Sequence, residues 1–316
     1  MAKPAPVPAD RATDAELAEI LAEVRRIAVR SRRLATEVMA GGYASAFRGS
    51  GIEFDEVREY AEGDDPRTVD WNVTARIGRP FVKKFRDERD RTVLFLADLS
   101  ASMTGGFGAL SARETAARVV ACLAFSATQQ GDRVGLFGFG DGVATRVPPR
   151  KGMGHALRIV RDVLALPSTA GRSDPGPALE LAARTVRGRR AVVFLVSDFL
   201  GLHAAAWERP LRACARRHDV VAVRLLAPEL ALPDVGLVRV EDPETGAVTT
   251  VDTSSPRVRD ALDARVAAWR TSVDATLDRA KVDRLDVPVP RERDRDRIVE
   301  PLLTFFRMRE LRGAHR

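Results

Sequence analysis

Val93-Leu94-Phe95-Leu96-Ala97-Asp98-Leu99-Ser100-Ala101-Ser102 carries an unbroken apolar run into an aspartate followed by two serines at alternate positions. A run that does not alternate with polar residues fits a strand covered on both faces, as in a parallel sheet. It predicts a buried strand, with the residues after it forming a loop at the strand's carboxyl end. That loop sets one carboxylate and two hydroxyls on one side. Hard divalent cations take such oxygen ligands, and magnesium commonly keeps several waters beside one or two protein carboxylates.

Working outward from that strand, residues 114–129 read as a helix with Ala116, Val119, Val120, Leu123 and Ala124 on its core side. Residues 133–139 read as a strand, and Gly140-Asp141-Gly142 as a hairpin turn into a strand over 143–147. The glycines around Phe139 invite a phosphate-loop reading, but no Lys-Ser/Thr follows and no helix opens there, so a turn is expected. Helices are predicted over 154–166 and 177–186. A second unalternating run, 191–196, ends in Ser197-Asp198. A helix over 204–217 and a last strand over 220–226 complete a doubly wound, mostly parallel α/β sheet flanked by helices, spanning residues 91–227.

Residues 1–90 form the first of two flanking pieces. Pro4, Pro6 and Pro8 mark a loose start. Leu17, Ile20, Leu21, Val24, Ile27 and Ala28 then recur at helical spacing, an apolar stripe expected to pack on the rest of the protein. Between residues 41 and 90 the helical period is lost. Gly63-Asp64-Asp65-Pro66-Arg67 reads as a tight turn and 81–85 as a strand, with Asp64, Asp65 and Asp70 expected to pair with Arg67 and Arg76. Residues 228–316 form the second piece: a hairpin around 242–246, then two helices. The first opens at Ser255-Pro256 with Val258, Leu262, Val266, Trp269, Val273 and Leu277 on one face, and the second opens at Ile298.

At 316 residues, with 45% hydrophobic and 30% charged residues, the chain has the composition of a soluble globular protein with room for more than one lobe. Its two cysteines, Cys122 and Cys214, sit in apolar helical patterns and read as reduced core thiols. No signal-peptide core and no run of about 20 apolar residues is present, so a cytoplasmic location is expected. The formal net charge of +7 would suit an anionic partner, yet arginines alternate with acids, as in residues 291–297, which favours a salt-bridged surface. Only 6% of residues are aromatic and no basic stripe carries interleaved rings, which weighs against nucleic-acid binding.

Ligands of open α/β sheets bind outside the carboxyl ends of the strands. Three loops bring oxygen ligands to that edge: Asp98, Ser100 and Ser102 after one strand, Ser173 before the 177–186 helix, and Asp198 after the 191–196 run. This resembles the metal-ion-dependent adhesion site of the von Willebrand factor type A fold. The resemblance implies a Mg2+ or Mn2+ ion held directly by Ser100 and Ser102, with Asp98 and Asp198 acting through water and one position open to a partner's carboxylate. Ser173 stands in Gly171-Arg172-Ser173-Asp174-Pro175-Gly176, where that family usually has threonine; the hydroxyl is kept, and Asp174 is a second candidate for the same place.

Glu53-Phe54, Arg58-Glu59-Tyr60, Gly63-Asp64-Asp65-Pro66-Arg67, Asp70-Trp71 and Ala75-Arg76, followed by the Asp98–Ser102 motif, resemble the signature of the bacterial family called domain of unknown function 58. The resemblance runs over roughly residues 41–306. It implies a non-enzymatic adaptor or substrate receptor for a MoxR-type AAA+ ATPase. Many relatives carry amino-terminal membrane helices, which this sequence does not show. Two other readings remain at this point: a metal-dependent phosphate-transfer enzyme using Asp98, and a basic nucleic-acid-binding protein. Aspartyl-phosphate chemistry usually wants a second carboxylate beside the nucleophile, whereas positions 100 and 102 are serines. His155, His203, His218 and His315 lack metal-ligand spacing, and no Gly-x-Ser-x-Gly elbow occurs.

Overall fold

The computed structural model describes residues 52–61, 69–87, 91–105, 109–169, 172–186, 189–202, 204–230, 234–242, 246–290 and 298–314, with isolated helical positions 22, 25, 28, 36 and 46. In chain order the elements are β1 (Ile52–Glu59), α1 (Trp71–Ile77), β2 (Phe81–Asp87), β3 (Thr92–Asp98), α2 (Ala112–Gln129), β4 (Arg133–Phe139), β5 (Val143–Arg150), α3 (Met153–Ala165) and α4 (Gly176–Thr185). They continue with β6 (Val192–Ser197), α5 (Ala204–Arg217), β7 (Asp219–Leu226), β8 (Leu237–Glu241), β9 (Val248–Asp252), α6 (Pro256–Ala280), β10 (Asp283–Pro288) and α7 (Val299–Ala314).

One six-stranded sheet in the order β10-β7-β6-β3-β4-β5 organises these elements. All of its pairings are parallel except β4 with β5. Strand β3 is central, and every residue from Val93 to Asp98 is buried. Its alternate side chains feed two cores, one on each face of the sheet. Val93, Phe95 and Ala97 pack with α2, with Ile159, Val160 and Val163 of α3, and with Leu302 and Phe306 of α7. Leu94 and Leu96 pack with Leu179 of α4, Trp207 and Leu211 of α5, and Val273 and Leu277 of α6. Phe95 and Phe194 stack across β3 and β6 with ring centres 5.7 Å apart.

Helix α2 begins two residues earlier than its apolar period indicates, because Ser111 and Glu114 form a reciprocal capping box. Each satisfies an amide that the first turn leaves unpaired. Strand β5 runs on to Arg150, through Pro148 and Pro149, which an edge strand tolerates because one side of its backbone has no ladder to feed.

The expected last strand over 220–226 is corrected by β10, which extends the sheet beyond β7 after the α6 crossover. Only Leu285 and Val287 of β10 are buried; charged residues and Pro288 occupy the rest, the pattern that protects an exposed edge and makes the stretch read as a loop. Residues after 227 thus contribute both the hairpin β8–β9 and a strand of the main sheet.

Ahead of the sheet, β1 and β2 pair antiparallel around α1. The sequence shows neither β1 nor α1. Asp70, expected to pair with arginine, is the N-cap of α1, its Oδ1 accepting from the amides of Asn72 (3.0 Å) and Val73 (3.2 Å). Gly78, at φ 76°, closes the same helix in the left-handed region. Of the amino-terminal stripe, Leu17, Ile20, Leu21, Val24 and Ile27 lie outside the described residues, as do the 63–67 turn and residues 291–297. Ala28 is helical and buried in the α2 side of the core. Among the described residues no helix is long and apolar enough to cross a membrane.

Candidate metal centre

Asp98 is the last residue of β3, opposite Phe139 of β4, so its carboxylate emerges at the carboxyl edge of the central strand. Oδ1 accepts from the Ser100 amide at 2.9 Å, the local side-chain turn that aspartate favours after a strand. One turn of 3-10 helix, Ala101–Thr104, then brings Ser102 back, and the Ser100 and Ser102 hydroxyl oxygens stand 3.0 Å apart in a hydrogen bond.

The second loop is tied to the first through backbone. Thr169 bridges to Ser100, and its amide donates to the Leu99 carbonyl at 2.9 Å. Gly140 makes room for this: a Cβ there would lie 1.7 Å from Thr169 Oγ1. The hairpin turn that the sequence indicates is therefore also a packing surface for the site, and its Gly140 carbonyl accepts from the Asp174 amide. From this loop the Ser173 hydroxyl donates to Asp98 Oδ2 at 2.9 Å. Asp174 turns away to accept from the Gly176 amide at the start of α4 (2.8 Å). Of the two candidates for this place, Ser173 touches Asp98.

The third loop leaves β6. Ser197 donates its hydroxyl to Asp98 Oδ2 at 2.7 Å and accepts from the Phe199 amide at 2.9 Å. Asp198 follows directly, with Oδ1 accepting from the Leu200 amide at 2.9 Å. Phe199 is fully buried at φ 58°, a conformation that costs a non-glycine residue about 1 kcal/mol or more. Its carbonyl accepts from Trp269 Nε1 of α6 at 2.8 Å, which fixes the turn behind Asp198.

Asp98, Ser100, Ser102 and Ser173 are thus joined in one hydrogen-bonded group, and Asp198 stands beside that group through Ser197. Two residues of the surrounding framework escape the sequence reading. Ser197 is visible only as the residue before Asp198, and its role depends on the side of β6 it faces. Arg113, in the first turn of α2, looks like one more surface charge, yet it is only 4% exposed. It donates to the carbonyls of Val163 (2.7 Å) and Leu166 and to Ser168 Oγ (3.2 Å). Burial pushes its guanidinium down to about 10, while the Asp98 charge pulls the other way.

The donors on the three loops are hydroxyl and carboxylate oxygens, the set that suits a hard divalent cation. Among the described residues no group of three or more His, Cys, Asp or Glu side chains is placed to hold a metal. Cys122 and Cys214 are buried thiols, and burial pushes the Cys214 thiol up to about 12. His218 is buried, its pKa lowered chiefly by desolvation, and His155 is half-buried; His203 and His315 lie outside the described residues.

Solved structures to which the chain shows similarity include the conserved hypothetical protein BatB from Bacteroides thetaiotaomicron, 16% identical, covering 72% of this chain and 100% of that one, with a TM-score of 0.42. Another is the SpRpn10 VWA domain, 13% identical, covering 68% of this chain and 94% of that one, with a TM-score of 0.39. An uncharacterized protein of Mycobacterium tuberculosis is 34% identical over 262 residues, 82% of this chain and 81% of that protein. One of Mycobacterium avium is 38% identical over 136 residues, 42% of this chain and 78% of that protein. With residues 56–272 matching the model of the family described as Protein of unknown function DUF58, and with relatives of this likeness over most of its length, the chain belongs to that family.

Proposed function

We propose that the chain is a non-enzymatic, Mg2+-dependent protein-interaction module in which an acidic side chain of a partner completes the coordination of a cation held at the carboxyl edge of β3. The observation that carries this reading is the pair of hydroxyls of Ser100 and Ser102, 3.0 Å apart, on a loop anchored by Asp98. When bound, the cation supplies a positive centre for a carboxylate. Ser100 and Ser102 would hold it through their hydroxyl oxygens and Asp98 and Asp198 would act through water, while Ser173 and Ser197 donate to the Asp98 carboxylate and fix it. Mn2+ fits the same oxygens.

Against a phosphoryl-transfer role, Asp98 meets the Ser100 amide and the hydroxyls of Ser173 and Ser197, with no second carboxylate among these partners, where aspartyl-phosphate chemistry usually wants one beside the nucleophile. The partner in this proposal is a MoxR-type AAA+ ATPase, for which the chain acts as adaptor or substrate receptor in the cytoplasm. The test is calorimetry of Mg2+ and Mn2+ with wild type and Asp98→Ala, followed by affinity purification from cell extract in Mg2+ and in chelator. Cation uptake lost in the variant, with an ATPase retained only in Mg2+, is the expected result. Equal cation binding by both proteins would remove the metal half of the proposal, and an ATPase held equally in chelator would remove its dependence on the cation.

A further inference from the structure

The guanidinium of Arg113 is the buried charge nearest in kind to a rival for the proposed cation. All three of its hydrogen bonds go to neutral acceptors: the carbonyls of Val163 and Leu166, at the end of α3, and the Ser168 hydroxyl. Capping a helix end would account for the carbonyl bonds, since the last carbonyls of a helix welcome a cation. It does not account for the location. Ser168 adjoins Thr169, which bridges to Ser100, and the same loop continues to Ser173 on Asp98. A full positive charge is thus built into the support of the Asp98 loop, where the Asp98 charge acts on it.

We propose that Arg113 is a positioning residue that biases the site against holding a bare divalent cation and in favour of a cation already joined by a carboxylate. The inference rests on the metal reading above. A fixed positive charge repels an incoming cation and attracts an incoming anion through the same low-dielectric interior. Arg113 therefore shifts the two affinities in opposite directions. A purely structural arginine has no such signature, since its loss would loosen the loop and weaken both.

The experiment measures Mn2+ affinity by calorimetry, and then the affinity of acetate for the Mn2+-loaded protein, in wild type, Arg113→Gln and Arg113→Met. Far-UV circular dichroism confirms the fold, and either neutral variant serves if the other does not fold. The expected result is that Mn2+ binds about tenfold more tightly to the neutral variant, while acetate binds its loaded form several-fold more weakly. Mn2+ affinity unchanged or weakened in the neutral variants overturns the proposal, as does acetate affinity for the loaded form that is unchanged or raised. Absence of Mn2+ uptake by wild type and neutral variant alike overturns the metal reading itself, and the inference with it.

Discussion

Two polar clusters, each around a buried charged side chain, are built on opposite plans. In one, Arg224 of β7, itself 3% exposed, donates to Asp286 of β10 at 2.7 Å and to Asp274 of α6 at 2.8 Å and lies over the Trp269 ring. Burial alone would lower the Arg224 pKa, but the hydrogen bonds and charges of Asp286 and Asp274 outweigh it and hold the pKa above its usual value. In the other, Asp98 faces the hydroxyls of Ser173 and Ser197 and one backbone amide. The first cluster matches charge with charge and joins α6 and β10 to the sheet. The second gathers oxygens around a carboxylate, an arrangement that fits a cation from solution. Trp269 touches both clusters, with its ring under Arg224 and its Nε1 on the Phe199 carbonyl.

Replacing Arg224 by methionine tests the first plan most severely. It leaves Asp274 of α6 and Asp286 of β10 with Arg284, at 2.6 and 3.9 Å, as their cation, and urea unfolding is expected to show a loss of about 2–4 kcal/mol, moderated by that second arginine and because both acids are about a third exposed. A smaller loss would mean that β10 and α6 are held chiefly by Leu285, Val287 and Leu277. Asp98→Asn, by contrast, keeps an acceptor oxygen for part of its network. It is expected to cost about 1–2 kcal/mol in the same assay while abolishing cation binding in calorimetry. If stability fell as far as in the Arg224 variant, the second cluster would be as structural as the first.

Trp269→Phe keeps a ring beneath Arg224 and removes the bond to the Phe199 carbonyl. A loss of about 1 kcal/mol is expected, together with weaker cation binding if that bond holds the Asp198 turn in shape. Ser102→Ala should give the smallest change in stability, within about 0.5 kcal/mol, because its hydroxyl meets only Ser100. Its cation affinity should nevertheless fall by about tenfold or more. Equal affinity with and without that hydroxyl would leave Ser102 outside the site.

The site is more legible in the sequence than the lobe before it, for a physical reason. Asp98, Ser100 and Ser102 follow a run so apolar that only a buried strand suits it, and a loop at the end of such a strand has one place to go. Ser173 and Asp198 follow from the same rule applied to neighbouring elements. Arg113 and Ser197 do not, because their roles come from contacts across 50 and 99 residues of sequence. In the lobe, α1 is seven residues long with no buried side chain, held by Asp70, Gly78 and the Thr74 hydroxyl bonded to the Phe81 amide. No apolar period exists there to announce a helix.

By itself the sequence determined the doubly wound arrangement of helices and strands, since burial on two faces imposes unalternating strands and burial on one imposes amphipathic helices. It also named three oxygen-bearing loops. Only the tertiary structure decided that the sheet gains β10, whose charges and proline suit an edge and conceal a strand. It alone decided that Ser173 rather than Asp174 meets Asp98, and that a buried arginine ties the start of α2 to the end of α3 and Ser168. Pairing partners, facing directions and the neighbourhood of a charge arise from distant parts of the chain meeting in space, which local pattern does not encode.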